Sequence, residues 1–108
     1  MSYNVKLTPN FKKQAKRLSK KYKSLPSDLA KLFDQLAQNP QMGNPLGKSI
    51  YKVRMAITSK GKGKSGGARI ITYYQKSEKD ILLLTIYNKG KRDTITDVEL
   101  QTLIDKFV

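Results

Sequence analysis

The sequence predicts an α+β fold with an N-terminal strand, an antiparallel helix hairpin packed on a small antiparallel sheet, and a C-terminal helix. Two patterns predict it. Apolar residues recur at helical spacing in the first third of the chain, and in the middle part they alternate with polar residues. The 108 residues, 38% of them hydrophobic, are enough for one core and too few for two, so we expect a single domain over residues 1–108.

The N-terminal part begins with an alternating segment. Residues 2–8 alternate between apolar and polar side chains and predict a strand that ends before Pro9. From Pro9, a first amphipathic helix has its apolar positions at Phe11, Ala15, Leu18 and Tyr22. A second helix, which ends before Asn39-Pro40, has them at Leu29, Leu32, Phe33 and Leu36. The short interruption at residues 24–27 indicates that the two helices form an antiparallel hairpin.

The remainder of the chain predicts a sheet and a closing helix. Alternation and β-branched residues predict strands over Ser49–Ile57, Ala68–Gln75 and Ile81–Tyr87, and the last strand is apolar on both faces, as in the centre of a sheet. Thr96 and Glu99 have the spacing of a capping box. The final helix that they begin has apolar positions at Val98, Leu100, Leu103, Ile104 and Phe107.

A basic, glycine-rich segment joins the first two strands of this sheet, and we name it the basic loop (Lys60–Arg69). Its four glycines permit a positive φ and let the backbone approach a ligand closely. Its cations match phosphate: Lys60, Lys62, Lys64 and Arg69. Residues 35–77 contain eight basic residues and no acidic one. These features favour a polyanionic ligand, although a long flexible hairpin loop has a similar composition.

The overall charge narrows the class of partner. A net charge of +14 and a pI of about 10.1 indicate nucleic acid, an anionic membrane surface or an acidic protein. The membrane is the weakest of these, because no apolar run approaches the roughly 20 residues that a spanning helix needs. Residues 1–23 contain no apolar region typical of a signal peptide. We therefore expect a cytoplasmic protein.

The absence of cysteine and histidine restricts the chemistry. The sequence has no cysteine and no histidine, which excludes disulfides, cysteine-bound zinc and a histidine general base. Any catalysis must use lysine, arginine, tyrosine or carboxylate groups, and we expect no cofactor. A metal-binding pair at Asp97 and Glu99 is an open alternative, but acids at a helix start usually stabilise the helix dipole.

Residues 41–48 contain two glycines and a proline and predict a loop before the sheet. The segment from Gly43 to Ser49 looks like a nucleotide-binding P-loop, but three residues separate its glycines where that motif requires four. We expect no nucleotide hydrolysis.

The order of elements, with cations at strand ends, resembles the RelE/ParE superfamily of bacterial type II toxins. Three segments are similar to the signature segments of its HigB-like branch: Tyr51–Arg54, Ser59–Ile71 and Leu83–Lys89. The resemblance implies an mRNA endonuclease that acts, in most members, on messages in the ribosomal A site and is held inactive by a cognate antitoxin. Many HigB-like chains have Asn-Glu where this one has Gly90-Lys91, so any family role of that acid is absent here.

RNA cleavage without metal requires a base for the attacking 2′-OH, cations for the phosphate oxygens and an acid for the leaving 5′-oxygen. Lysine serves as a base only when neighbouring cations lower its pKa, and most of the candidates are cations expected on one concave face. The catalytic candidates are Lys52, Arg54, Lys64, Arg69, Tyr87 and Lys89. The RNA-binding candidates are Lys60, Lys62, Lys91, Arg92, Lys13 and Lys20.

Three of the catalytic candidates suit particular roles. Arg54 and Arg69 suit bidentate contact with phosphate, and Tyr87 suits base stacking or proton transfer. Because Arg69 follows a glycine-rich loop, we expect its side chain to be exposed. Two other functions fit the same charge: a topoisomerase-poisoning toxin of the same fold, and a noncatalytic nucleic-acid-binding module.

Overall fold

The computed structural model describes residues 3–61, 63, 66–89 and 95–108. Within these ranges the chain has five strands and three helices, and the predicted α+β class is confirmed. The strands are β1 (Asn4–Leu7), β2 (Asn44–Gly47), β3 (Ile50–Met55), β4 (Ala68–Gln75) and β5 (Asp80–Asn88). The helices are α1 (Pro9–Lys21), α2 (Leu25–Gln38) and α3 (Asp97–Phe107). None of these helices is both long and apolar enough to cross a membrane.

The sheet is mixed rather than purely antiparallel, in the order β1-β5-β4-β3-β2. The strands from β2 to β5 pair antiparallel, whereas β1 lies parallel to β5, with Val5 opposite Ile81. Residues 44–47, predicted as loop, form the edge strand β2 beside β3. An edge position tolerates Pro45, because its missing N–H faces no partner that needs it. The sequence did not predict this strand because glycine and proline, which usually indicate a turn, lie in it.

Helices cover the two faces of the sheet unequally. On one face, α1 and α2 bury a large core that includes Phe11, Leu32 and Ile70. On the other face, a smaller cluster around Ile71 and Leu84 is covered by apolar residues of α3. Strand β5 contributes to both clusters, which confirms the prediction that it is apolar on both faces.

The outer edge of β5 is completed by side chains of α1. Strand β1 ends at Leu7, opposite Leu83, so the later part of β5 has no strand beside it on that edge. The Asn10 side-chain amide donates to the Leu84 carbonyl oxygen at 2.8 Å. Gln14 Oε1 accepts the backbone N–H of Ile86 at 3.0 Å and the Thr85 hydroxyl at 2.6 Å. Two polar side chains of α1 therefore satisfy backbone groups of β5 that a neighbouring strand would otherwise pair with.

The basic loop ends at a close contact between two backbones. A Cβ atom on Gly67 would overlap the carbonyl oxygen of Met55 and lie 2.9 Å from the Cα of Ala56. Glycine is therefore required at this position because the chain enters β4 directly against the end of β3. Gly61 differs: its φ is +71°, but among the described residues, apart from its chain neighbours, no atom lies within 4 Å of a Cβ built there.

These two glycines give a matched pair of substitutions. Gly67→Ala should lower the free energy of unfolding by about 3 kcal/mol, because backbone atoms cannot move aside without separating β3 from β4. Gly61→Ala should cost only about 1 kcal/mol, the strain of a positive φ without a clash. Urea denaturation of both variants measures the difference. Equal losses would show that the contact with Met55 is not the reason for glycine at 67.

Candidate nucleic-acid interface

Three predicted site residues are direct neighbours across the sheet. Arg54 of β3 is paired with Arg69 of β4, and Arg69 is paired with Tyr87 of β5. Directly opposed residues on neighbouring strands point to the same face, with Cβ atoms about 5 Å apart. We name Arg54, Arg69 and Tyr87 the cross-strand row. Two guanidinium groups at this spacing can bind several oxygens of one phosphate.

Lys52 lies on the same face as the cross-strand row. It precedes Arg54 by two residues on β3 and is paired with Ile71 of β4, which belongs to the cluster under α3. Its side chain is half-buried. An open groove of about 320 Å³ lies between Lys52 and Arg54 on one side and residues 42–44 on the other. The two cations of β3 therefore border a concave surface.

Exposure falls steeply along the cross-strand row. Arg54 is exposed, whereas Arg69 is 3% exposed and Tyr87 is 7% exposed. The expectation that Arg69 is exposed is therefore wrong. The physical reason is that Arg69 shares a sheet face with Ile71 of the same strand and with Tyr87 opposite it, in the cluster that α3 covers. One guanidinium nitrogen of Arg69 donates to the Ala68 carbonyl oxygen at 3.2 Å.

Burial of Tyr87 also limits its role. Its ring packs in the cluster covered by α3, and its hydroxyl oxygen is shielded from solvent. In this arrangement of α3 the ring does not offer an open face to a nucleobase. Of the two roles considered for Tyr87, base stacking does not fit this burial, and proton transfer stays a prediction.

The structure places Lys60 away from the cross-strand row. Lys60 Nζ donates to Asn88 Oδ1 at 2.8 Å and lies 5.3 Å from the centre of the Tyr22 ring. The Asn88 amide donates in turn to the Tyr22 hydroxyl at 2.9 Å. Tyr22 packs against the core of the α1 and α2 side, so Lys60 is separated from Tyr87 by the sheet. An RNA contact by Lys60 stays a prediction.

Burial alone would raise the pKa of the Tyr22 hydroxyl, but the hydrogen bond from Asn88 and the charges of Lys60 and Lys21 hold that pKa below its ordinary value. Sequence reasoning assigned Tyr22 only to the apolar face of α1 and did not assign Asn88 a partner. The helical spacing of Tyr22 predicts the ring but cannot show which polar groups meet its hydroxyl.

The other candidates are dispersed. Lys89 follows β5 and is half-buried, and its backbone N–H donates to the Gly67 carbonyl oxygen at 3.0 Å. Lys13 and Lys20 are exposed on α1. The remaining four predicted cations lie outside the described residues: Lys62, Lys64, Lys91 and Arg92.

A buried carboxylate, missed by the sequence reasoning, lies next to the start of the basic loop. Asp28 of α2 is 7% exposed and accepts hydrogen bonds from the Thr58 hydroxyl at 2.6 Å, the Thr58 backbone N–H at 3.0 Å and the Ser24 hydroxyl at 2.8 Å. Burial alone would raise the pKa of Asp28, but these hydrogen bonds, with the charge of Lys31, hold it below its ordinary value. Asp28 is therefore ionised in the folded protein at neutral pH.

The described residues contain no cluster of three carboxylates that could hold a metal ion. Glu99 is used in the predicted capping box, which the structure confirms: its carboxylate accepts the Thr96 backbone N–H at 3.3 Å, and the Thr96 hydroxyl accepts the Glu99 N–H at 3.1 Å. The Glu99 carboxylate therefore has a structural function at the start of α3.

Solved structures of RelE toxins share this architecture. A mutant of the E. coli toxin RelE in the free state matches with a TM-score of 0.67 at 11% identity, over 100% of both chains. A chain of the intact E. coli RelBE toxin–antitoxin complex matches with a TM-score of 0.63 at 13% identity, over 81% of this chain and 96% of that one. A chain of the Mycobacterium tuberculosis RelBE2 complex gives 0.60 at 15% identity, over 82% and 99%. Identities this low show the fold alone.

The chain thus has the fold of the RelE toxins, with a basic sheet face. The family model for the RelE toxin of the RelE/RelB toxin–antitoxin system matches residues 7–106, so the chain belongs to the RelE toxin family. The superfamily resemblance seen in the sequence is confirmed. Its narrower assignment to the HigB-like branch stays a prediction.

The lowered pKa of Asp28 predicts a pH-dependent stability. Because the folded-state pKa lies below the unfolded one, Asp28 stabilises the fold above about pH 4, and this contribution is lost as the pH falls through the folded-state pKa. Asp28→Asn should therefore cost about 2 kcal/mol at pH 7 and progressively less on acidification. Urea denaturation from pH 7 to pH 3 tests this, with Asp34→Asn, an exposed acid of the same helix, as the control. A loss that does not change with pH would contradict the assignment.

Proposed function

We propose that this protein is a ribosome-dependent mRNA endonuclease that inhibits translation and acts in the cytoplasm. The observation that carries the proposal is the placement of Lys52 and the cross-strand row on one sheet face, next to an open groove. This surface unites fixed cations with groups able to transfer protons. Membership of a toxin family supports a role in growth arrest.

The proposed chemistry forms a bond between the 2′-oxygen and the adjacent phosphorus and breaks the bond from phosphorus to the 5′-oxygen. The products are a 2′,3′-cyclic phosphate and a 5′-hydroxyl. The exposed Arg54 binds the phosphate oxygens, where charge increases in the transition state, and the buried Arg69 beside it adds its positive charge to the same surface. Lys52 and Lys89, both half-buried, are candidates to take the proton from the 2′-hydroxyl and to give one to the leaving oxygen, whereas the shielded Tyr87 hydroxyl would have to be uncovered before it could do so. No metal is needed for this sequence of steps.

Arg54 tests the site better than Arg69 does. Because Arg54 is exposed and Arg69 is buried, replacing Arg54 should change the cleavage rate with little effect on the free energy of unfolding. Arg54→Ala should slow cleavage of ribosome-bound message by roughly a hundredfold, as expected for loss of one charge-stabilising donor, and change the free energy of unfolding by less than about 0.5 kcal/mol. Arg17→Ala removes the same charge from the exposed face of α1 and should leave the rate nearly unchanged. Equal effects of the two variants would show that only the total charge matters.

The absence of histidine from the chain supports dependence on the ribosome. With no histidine, no side chain has an unperturbed pKa near 7, so alignment of the 2′-hydroxyl with phosphorus must supply much of the rate. A surface of charge +14 attracts RNA strongly, but phosphate attraction alone does not fix the shape of a flexible strand. The ribosome would provide a message held in a bent conformation.

Purified protein should therefore bind free RNA with strong salt dependence and cleave it slowly, while it cuts the same transcript efficiently in a translating complex. Mapping of the new 5′ ends in both samples measures the difference. Equal cleavage in both would show that the protein aligns its own substrate. Growth arrest without new mRNA ends would instead favour the topoisomerase-poisoning toxin, and RNA binding without either effect would favour the noncatalytic module.

We also propose that a cognate antitoxin neutralises the toxin by covering this basic surface. Two of the similar structures are toxin–antitoxin complexes, and a partner with acidic side chains would complement the charge of this chain. Electrostatic attraction of this kind accelerates association at low salt and is screened as the ionic strength rises.

A further inference from the structure

We propose that Asp28 is a positioning residue for Arg54, acting through the segment Thr58–Lys60 that leaves β3. The proposal rests on the proposed function, since Arg54 is taken to bind the reacting phosphate. An acid in the first turn of a helix ordinarily stabilises the helix dipole. Here the Asp28 carboxylate instead makes two of its hydrogen bonds to Thr58, which is 30 residues away in the sequence.

The end of β3 needs such a restraint because one of its edges is left open. Pairing with β2 extends along β3 only from Ile50 to Lys52, whereas pairing with β4 continues to Met55. From Val53 onward, β3 is therefore held by strand pairing on one side. Arg54 lies in this half-supported part, at the margin of the sheet.

Asp28 compensates for the open edge by fixing the chain just beyond it. The carboxylate accepts both the hydroxyl and the backbone N–H of Thr58, so the residue is held in position and orientation. Asp28, Thr58 and Arg54 line one groove between α2 and the end of β3. The backbone that carries Arg54 is therefore tied to helix α2 across this groove.

Neighbouring contacts extend the tie along the same segment. The Ser24 hydroxyl donates to Asp28, and its oxygen accepts the Ser59 backbone N–H at 2.8 Å. On the other side, Lys60 is bonded to Asn88 at the end of β5. Thr58 and Ser59 are thus bonded to the N-terminal end of α2, and Lys60 is bonded to β5, before the chain enters the glycine-rich part of the basic loop.

The carboxylate is specific for this arrangement. It is an acceptor at both oxygens, and its three donors converge on it from two segments. Asparagine would place an N–H₂ group against one of these donors, so Asp28→Asn should loosen Thr58 while nearly conserving side-chain volume. Asp80 provides a matched control: it is also 7% exposed, but it bonds Lys6 and Asn4 at the opposite end of β5.

The experiment combines amide hydrogen exchange with cleavage of ribosome-bound message. In Asp28→Asn, exchange at the Thr58 and Ser59 amides should accelerate at least about tenfold, while the Ile70 amide in the core changes much less. The cleavage rate at saturating protein should fall roughly tenfold with little change in the concentration needed for saturation, because a small misplacement of a binding group lowers the chemical rate. Thr58→Val, which removes only the hydroxyl, should show a smaller decrease. Asp80→Asn should change neither measurement.

A double-mutant cycle separates positioning of Arg54 from general loosening of the fold. If Asp28 acts through Arg54, then Asp28→Asn should slow cleavage by less than about threefold when Arg54 is already alanine. A tenfold decrease in that background, or in Asp80→Asn, would overturn the proposal, as would unchanged exchange at Thr58. If the wild-type protein cleaves no message, the proposed function fails on its own, and exchange at Thr58 still decides whether Asp28 holds this segment.

Discussion

Strand β5 imposes the constraint on which the rest of the structure depends, because it is covered on both faces and bordered on both edges. Its apolar side chains must meet α1 and α2 on one side and α3 on the other. Its backbone must be paired along nine residues, although β1 is only four residues long. Asn10 and Gln14 complete the pairing. Tyr87, near the end of this strand, is consequently one of the most firmly positioned groups of the site.

The acidic residues are used in a way that preserves the positive field. Of eight acids in the chain, Asp28 and Asp80 are buried in hydrogen-bonded positions, and Glu99 caps α3. A carboxylate that already accepts several hydrogen bonds attracts little further cation, and its burial keeps it from the approach of a polyanion. The fold thus obtains the structural benefit of Asp28 and Asp80 while both carboxylates are shielded from solvent.

Much of the fold was predictable because each helix and most strands have a local signal. The spacing of Phe11 to Leu36, the alternation in β3 and the capping box all depend on neighbouring residues in the sequence. The parallel pairing of β1 was not predictable, because alternation shows which side chains share a face of the strand but not which strand lies beside it. Burial of Arg69 and the contacts of Asp28 both follow from tertiary packing, of α3 on the sheet in the first case and of α2 against Thr58 in the second. The strand pattern therefore brought Arg54, Arg69 and Tyr87 onto one face, while the contacts of Lys60 and Asp28 depend on tertiary packing that a local pattern does not show.

Parallel pairing of β1 with β5 also means that the first strand to be synthesised can pair only after the last strand has been made. Asn4 pairs with Asp80, so the first strand to be made must wait for the last strand before it can be paired. Contacts between such distant residues form late, because a long loop must close first. The cross-strand row requires the same last strand, since Tyr87 belongs to it. A nascent chain therefore cannot assemble the cross-strand row until residue 88 is free to join the sheet, so the row forms only after most of the chain has been translated.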